Sequence, residues 1–392
     1  MTRRVLLLLG VLAGLSASAG SAAKAAESPT PAPRIELWTM GQGEDVFERF
    51  GHGALCVFDA PDEDGLCYNY GTTNFRDPVD LISRFLDHEA KFWVSVAPSG
   101  RTLSEYAAED RTIWVQVLPL TDAQARALAA RLALDMLPEN RTYIYDHFVD
   151  NCTTRLRDHI DAVTGGALHT GEDVPYGPTW RDMVRRGFSA EPGVLALTEL
   201  LLGRFTDGHP SRWQAMFHPD VLREVVAERL HVPPELVVER QGPPLMAPPG
   251  AGRGFLVWIA VVLAAVAGFL VATGQRVLRR IGLVLAGFVL GVLSLVVYLL
   301  CFYWKIVYLH GNEVALVLVP TDFALAFLGG PMLRTYLDAR LALLAVCTLL
   351  VWTGVLSSPL GPAIVLAGLP LACMRAGLVE RPWRAGAGAG AT

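Results

Sequence analysis

The run Tyr143-Ile144-Tyr145-Asp146-His147-Phe148-Val149-Asp150-Asn151-Cys152-Thr153-Thr154-Arg155 is rich in aromatic residues and delivers one cysteine to the start of a helix. Beyond it, Leu156, Ile160 and Val163 fall at helical spacing, Gly165-Gly166 supplies a stop, and Asp150 or Asn151 is placed to cap the first turn. Cys152 therefore falls in that first turn. There, unpaired backbone N–H groups and the positive end of the helix dipole favour a thiolate, the reactive form of cysteine. Cys152 is the candidate nucleophile. The structural alternative is a small buried cysteine packed under a helix start, so a base, a compartment and a substrate must come from elsewhere in the chain.

The totals narrow the classes. A chain of 392 residues has room for two domains, and a hydrophobic content of 52% is high for a soluble protein, which points to a membrane part. The net charge of -5 is mild and the basic residues are scattered or sit beside apolar segments, which excludes nucleic acid as a partner. Six cysteines with no CxxC pair argue against a zinc ribbon or a thioredoxin-type motif. No HExxH or carboxylate-rich calcium loop occurs, so neither a metal nor a cofactor is expected.

Residues 1–26 carry Arg3-Arg4, an apolar run over 5–15 and a small-residue end, the pattern of a secretory signal with an A-x-A cleavage site. Residues 27–33 read as a Pro-rich linker. From 34 to 240 the pattern is that of an α+β domain. Residues 53–59 (GALCVFD) and 66–70 (LCYNY) are strand-like runs on either side of the acidic turn 59–65, which predicts a hairpin. Residues 92–96 and 112–118 are further strands; 121–137, capped by Thr121, 178–186 and 219–230 are helices.

A Pro/Gly linker, 241–254, precedes the membrane part, 255–376. The runs 255–273 and 281–304 are each long enough to span the hydrocarbon core, which takes about 20 residues. The shorter runs 341–356 and 363–374 read as two more spans joined by Ser357-Ser358-Pro359, and 314–329 is interrupted by Pro320 and Asp322. Charge decides that last segment. If it crosses, Arg276, Arg279 and Arg280, then Arg334 and Arg340, then Arg375, Arg381 and Arg384 all lie in the cytoplasm, and the 34–240 domain lies outside. The expectation is five spans and a cytoplasmic tail, 377–392. Asp322 becomes an intramembrane acid facing protein, near Lys305, His310 or Glu313.

An exported location places three cysteines, Cys56, Cys67 and Cys152, in an oxidising compartment, where an odd count leaves one thiol over. Cys56 and Cys67 flank the hairpin turn and are placed either to pair, leaving Cys152 free, or to lie buried as thiols. The candidate base is His52 in Phe50-Gly51-His52-Gly53. Flanking glycines let it approach a nucleophile at little steric cost, and its ordinary pKa near 6.5 suits proton transfer at neutral pH. By alternation His52, Ala54 and Cys56 share one strand face. His147 is the second choice of base, and the other histidines show no metal-ligand spacing.

Together, FGHGALCVFD, LCYNYGTTNFRDP, PENRTYIYDHFVDNCTTRLRD and WQAMFHPDVL, lying ahead of membrane spans, resemble the Lnb-type bacterial lipoprotein N-acyltransferases, and the likeness covers most of 36–230. The resemblance implies acyl transfer from a membrane phospholipid to the N-terminal cysteine of diacylglyceryl lipoproteins at the outer face of the inner membrane. The order of histidine first and cysteine on a later helix is similar to the permuted papain-like fold of NlpC and lecithin:retinol acyltransferase proteins. On that reading Cys152, deprotonated by His52, carries the acyl chain as a thioester. The Cys152 amide and Asn151 are candidates for the oxyanion hole, and Asn69 and Tyr70 for orienting His52. Arg141, Arg155 and Tyr145 are candidate substrate contacts, the arginines having solvent-facing ion pairs as their alternative. The run 300–309 (LCFYWKIVYL) reads first as an ordinary aromatic belt and second as an interfacial floor for acyl chains. Two rival functions stay open: a papain-like peptidase or amidase of the cell wall, and a non-catalytic lipoprotein-binding scaffold.

Overall fold

Alternating apolar residues lay down a seven-stranded antiparallel sheet in the first half of the chain. A computed structural model describes residues 31–44, 48–60, 63–169, 174–189, 191–245, 251–356 and 359–378. The expected signal segment 1–26, the start of the linker at 27–33, the Ser357-Ser358 joint, and Arg381 and Arg384 of the tail lie outside the described residues. The strands are β1 (Arg34–Met40), β2 (His52–Phe58), β3 (Leu66–Thr72), β4 (Lys91–Pro98), β5 (Ile113–Val117), β6 (Thr142–Ile144) and β7 (Glu235–Val238), in the order β6-β4-β3-β2-β1-β5-β7. The predicted hairpin is the β2–β3 pair. Cys56 and Cys67 stand directly opposite in its register and form a disulfide, which leaves Cys152 as a free thiol.

Helices cover both faces. These are α1 (Pro78–Leu86), α2 (Ser99–Ala108), α3 (Asp122–Asp135), α4 (Cys152–Val163), α5 (Trp180–Gly187), α6 (Pro192–Leu201), α7 (Arg212–Ala215) and α8 (Pro219–Arg229). Thr121 caps α3 in a reciprocal box with Gln124, as the pattern predicts. On one face of the sheet Leu37, Leu55 and Tyr70 pack against Leu132, Leu156 and Leu222 from α3, α4 and α8. The other face buries Trp38, Ala54 and the disulfide under Leu103 and Tyr106 of α2. Successive residues of β2 therefore serve different layers.

The second half holds α9 (Ala251–Ala272), α10 (Arg276–Phe302), α11 (Val314–Val317), α12 (Gly330–Trp352) and α13 (Gly361–Gly377). Among the described residues three helices, α9, α10 and α12, are long and apolar enough to cross a membrane; α13, at 17 residues, is shorter. The predicted span 314–329 is not a continuous helix. Pro320, which has no N–H to donate, follows α11 and opens a 3-10 turn, Pro320–Ala326. Glycines of α10 make room for this irregular backbone. A Cβ at Gly287 would lie 3.0 Å from the Asp322 carbonyl, and one at Gly291 would strike the Phe323 ring at 2.6 Å.

Asp322 has other partners than those expected. It is fully buried and pairs with Arg340, which bridges it at 2.8 and 2.9 Å and also donates to the Val317 carbonyl, while Tyr336 adds a bond of 2.7 Å. Arg340 is therefore a buried partner rather than a loop charge. Lys305 goes to Glu89, His310 to the Trp304 carbonyl, and Glu313 to Arg204. Two basic residues do gather at one end. Arg375 bonds Asp338, Arg334 reaches the Leu378 carbonyl, and Gly377 lies against Ala272, beside the turn that leads into Arg276.

The Pro/Gly linker divides the chain but not its packing. The globular core includes Leu300, Ile306, Tyr308 and Leu309, whereas the helical core includes Ala196 and Leu200 of α6.

Candidate active site

Local chemistry fixes the start of α4. Asn151 caps it by accepting the amides of Thr153 and Thr154, both at 2.9 Å, and the Thr154 hydroxyl accepts the Asn151 amide at 2.8 Å. The Asn151 carboxamide nitrogen then donates to the carbonyls of His147 and Phe217, both at 2.9 Å. With both N–H groups committed, Asn151 has no donor to offer an oxyanion. It is a positioning residue. The Cys152 amide, as the first of the helix, has no intrahelical acceptor and is the remaining donor of the expected pair.

The thiol is buried, at 9% exposure, with its sulfur 3.6 Å from the Thr153 hydroxyl. Burial pushes the Cys152 thiol up, against the lowering pull of the Thr153 hydroxyl, the amides of Gly53 and Thr153, and the Arg111 cation. Desolvation thus outweighs the helix terminus. The resting site holds a thiol, not the thiolate expected from the dipole.

His52 opens β2, with Nε2 3.3 Å from the Asn69 carboxamide oxygen and its ring stacked on Tyr106 at 5.8 Å. Burial lowers its pKa to about 4, Arg111 adds to the lowering, and the Asn69 bond opposes it. His52 is therefore a neutral base. It lies on the α2 side of the sheet, whereas Gly53 faces α4, where a Cβ would strike Leu156 at 2.8 Å. His52 and Cys152 both line a pocket of about 60 Å³ at the end of β2, with Gly71, Asn151 and Pro219 among its other walls. Gly71 has φ +93° and faces Cys152, whose Cβ would be 3.4 Å from a Cβ placed there; Gly51 has φ +83° and would press on the Met40 carbonyl at 2.6 Å. Both glycines thus line the pocket that His52 and Cys152 share.

The other expected residues separate. Tyr145 joins the site, stacked on Phe92 at 4.3 Å and lining the Cys152 pocket. Tyr70 does not orient His52. Being one residue on from Asn69, it points to the opposite face and bonds Asp135 and His159, each at 2.8 Å. Arg155 is clamped bidentately on Asp150 at 2.7 and 2.9 Å over the Tyr143 ring, and Arg141 donates to the Val94 carbonyl at 2.7 Å. Neither arginine lines the pocket. His147 does line it, with its pKa lowered to about 4 by burial, but its Nε2 has no hydrogen-bond partner. Among the described residues no three His, Cys, Asp or Glu side chains converge to hold a metal ion.

Two larger spaces flank the pocket. A polar groove of about 730 Å³ shares His52 and Gly71 with it and adds Glu48, Asn69, Arg101 and Arg111. An apolar cavity of about 270 Å³ shares Phe50, Phe92, Tyr145 and His147. Arg111 is the residue that sequence reasoning missed. It is only 2% exposed, holds the Gly41 carbonyl at 2.9 Å, lies over Tyr106 at 4.7 Å, and shifts both His52 and Cys152. A lone arginine between a helix and a strand carries no motif. Gly71, by contrast, was legible in the N-Y-G-T run.

Residues 24–186 match the family model of the Lnb N-terminal periplasmic domain. The part of the chain that carries Cys152 is similar to the Lnb family over that range. Both His52 and Cys152 fall inside the matched range, and the family's description makes this domain periplasmic, in keeping with three helices of membrane-spanning length later in the chain. The match ends within α5, short of those helices and of β7, so it covers six of the seven strands and α1 to α4. No curated protein and no solved structure matches the chain.

Proposed function

We propose that this protein is a lipoprotein N-acyltransferase of the inner membrane, multi-pass and with its globular domain on the periplasmic side, and that Cys152 carries the acyl chain. The observation that carries this reading is one pocket with a free cysteine and a neutral, Asn69-held histidine in its wall, sharing Phe50, Phe92, Tyr145 and His147 with an adjoining apolar cavity. The order of base and nucleophile along the chain, similar to that of permuted papain-like acyltransferases, supports it at the level of fold analogy.

The chemistry runs in two halves. His52 takes the Cys152 proton as the sulfur attacks the ester carbonyl of a phospholipid, and the Cys152 amide donates to the oxyanion that forms. When the C–O bond breaks, His52 returns the proton to the departing lysophospholipid alcohol and the acyl group stays on sulfur as a thioester. The α-amine of the lipoprotein's diacylglyceryl cysteine then attacks that thioester and gives its proton to His52. As the C–S bond breaks, the proton returns to Cys152. Asn151 sets the helix end, and Asn69 sets the imidazole. A raised thiol pKa and a lowered histidine pKa keep the pair neutral until substrate arrives, so proton transfer accompanies attack.

An apolar cavity beside the nucleophile favours this reading over a cell-wall peptidase, whose polar substrate gives such a cavity no role. Cells carrying Cys152→Ser as their sole copy test it. Lipoprotein N-termini should lose the third acyl chain by mass spectrometry, and N-termini that keep it would rule out the Cys152 route.

A further inference from the structure

The apolar cavity beside Cys152 is built from two distant parts of the chain. One wall is α1, through Leu81, Phe85 and Leu86; another is the loop after α10, through Ile306, Tyr308 and Leu309. That loop is fastened to the globular domain by backbone bonds that any side chain would permit. The amides of Lys305 and Ile306 both donate to the Leu86 carbonyl, at 3.2 and 3.1 Å, and the Gly203 amide donates to the Tyr308 carbonyl at 2.7 Å. Gly203 has no room for a side chain, since a Cβ would collide with the His310 carbonyl. The Tyr308 hydroxyl donates to Asp146, whose same oxygen accepts the amides of Phe148 and Val149 at 2.9 and 3.1 Å. Those two residues belong to the turn that presents Asn151 and Cys152. The loop is thus tied both to the cavity and to the backbone that places the nucleophile.

A pocket for a soluble substrate has no need of residues reached only after two long apolar helices. A pocket for a lipid tail does, because the chain must pass from hydrocarbon into protein without crossing water. We propose that this cavity is the acyl-chain site, that its occupant is one fatty acyl chain of a membrane glycerophospholipid, and that the loop following α10 is the wall that sets the chain length accepted. This rests on the acyl-transfer reading and deepens it. The 300–309 run then contributes the wall of a substrate site as well as any aromatic belt.

The test is an internal competition. Full-length protein is reconstituted in vesicles containing equal amounts of a short-chain and a long-chain phosphatidylglycerol, with a diacylated lipopeptide as acceptor, and the ratio of the two N-acyl products is read by mass. Ile306→Trp fills the cavity and should shift that ratio toward the short chain by roughly tenfold or more, the scale on which apolar pockets discriminate by size. Phe85→Ala enlarges the cavity at its α1 wall and should shift it toward the long chain. A ratio is independent of how much protein folds, and Phe85→Ala alone decides the matter if the tryptophan variant is inactive. An unchanged ratio with continued N-acylation overturns the proposal and leaves acyl transfer standing. No acylation by the unaltered protein from either lipid would overturn the acyl-transfer reading itself.

Discussion

The two spaces that flank the Cys152 pocket are made of opposite materials. On the α2 side, Glu48, Asn69, Arg101 and Arg111 line a polar groove; on the α1 side, Phe85, Phe92, Tyr145 and Ile306 line an apolar cavity. One sheet end serves both because β2 alternates its residues between the layers, sending His52 one way and Gly53 the other. The contrast suits a substrate that is itself polar at one end and apolar at the other, with the bond to be broken where the two regions meet. On the proposed reading the cavity would hold an acyl chain by removing its carbon from water, at roughly 25 cal/mol per Å² buried. The groove acts through charge, and a single buried cation in it biases both reactive groups.

The comparison breaks first at its centre. His52→Ala is expected to lower the rate of thioester formation by about 10²–10⁴-fold, the usual contribution of a positioned base. His147→Ala, which removes a ring with no oriented partner, should cost less than about tenfold by the same measurement. If the order of these losses is reversed, the base is His147.

Next comes the polar side. The Arg111 cation lowers the pKa of both His52 and Cys152. Removing it in Arg111→Met lets both rise. The acid limb of kcat/KM should lie near the His52 value of about 4 in the unaltered protein and move up in the variant, while staying below the ordinary histidine value near 6.5 because burial, the larger cause of the lowering, remains. Alkylation of Cys152 should likewise need a higher pH. A profile that does not move would remove Arg111 from the account while leaving the cysteine in place.

Smaller effects test the scaffold that separates the two regions. Replacing both Cys56 and Cys67 by serine opens a short loop and should cost about 2–3 kcal/mol of stability, read as a lower denaturation midpoint, with alkylation of Cys152 unchanged below the transition. Tyr70→Phe loses bonds to Asp135 and His159 and should cost about 1 kcal/mol with no movement of the pH profile, since Tyr70 faces away from His52.

The sequence revealed those parts of the site that local patterning sets. Helix-start chemistry placed Cys152 in a first turn with Asp150 or Asn151 to cap it, strand alternation put His52 on one face with Ala54 and Cys56, and spacing around an acidic turn set Cys56 and Cys67 where they could pair. Effects that depend on surroundings were not legible. The thiolate expectation counted the helix dipole but not burial, which takes the thiol the other way. Asn151 was assigned a free donor because its second set of bonds, to His147 and Phe217, spans 66 residues in the latter case. Arg155 and Tyr70 looked available for the same reason. In the membrane part, Pro320 correctly marked a break, but Asp322 found Arg340, a partner that charge counting had assigned to a loop. The loop at 304–310 was the hardest to place, because only the folded chain brings it back onto α1 and Asp146.

The central claim is that Cys152 carries the acyl group, and the intact mass of the full-length protein tests it directly. After incubation with phospholipid vesicles in the absence of acceptor, the account predicts the added mass of one fatty acyl chain on the peptide bearing Cys152, released by hydroxylamine and discharged when a diacylated lipopeptide is supplied. Triacylated lipopeptide produced at an undiminished rate by Cys152→Ser, with no acyl mass on the unaltered protein, would contradict it.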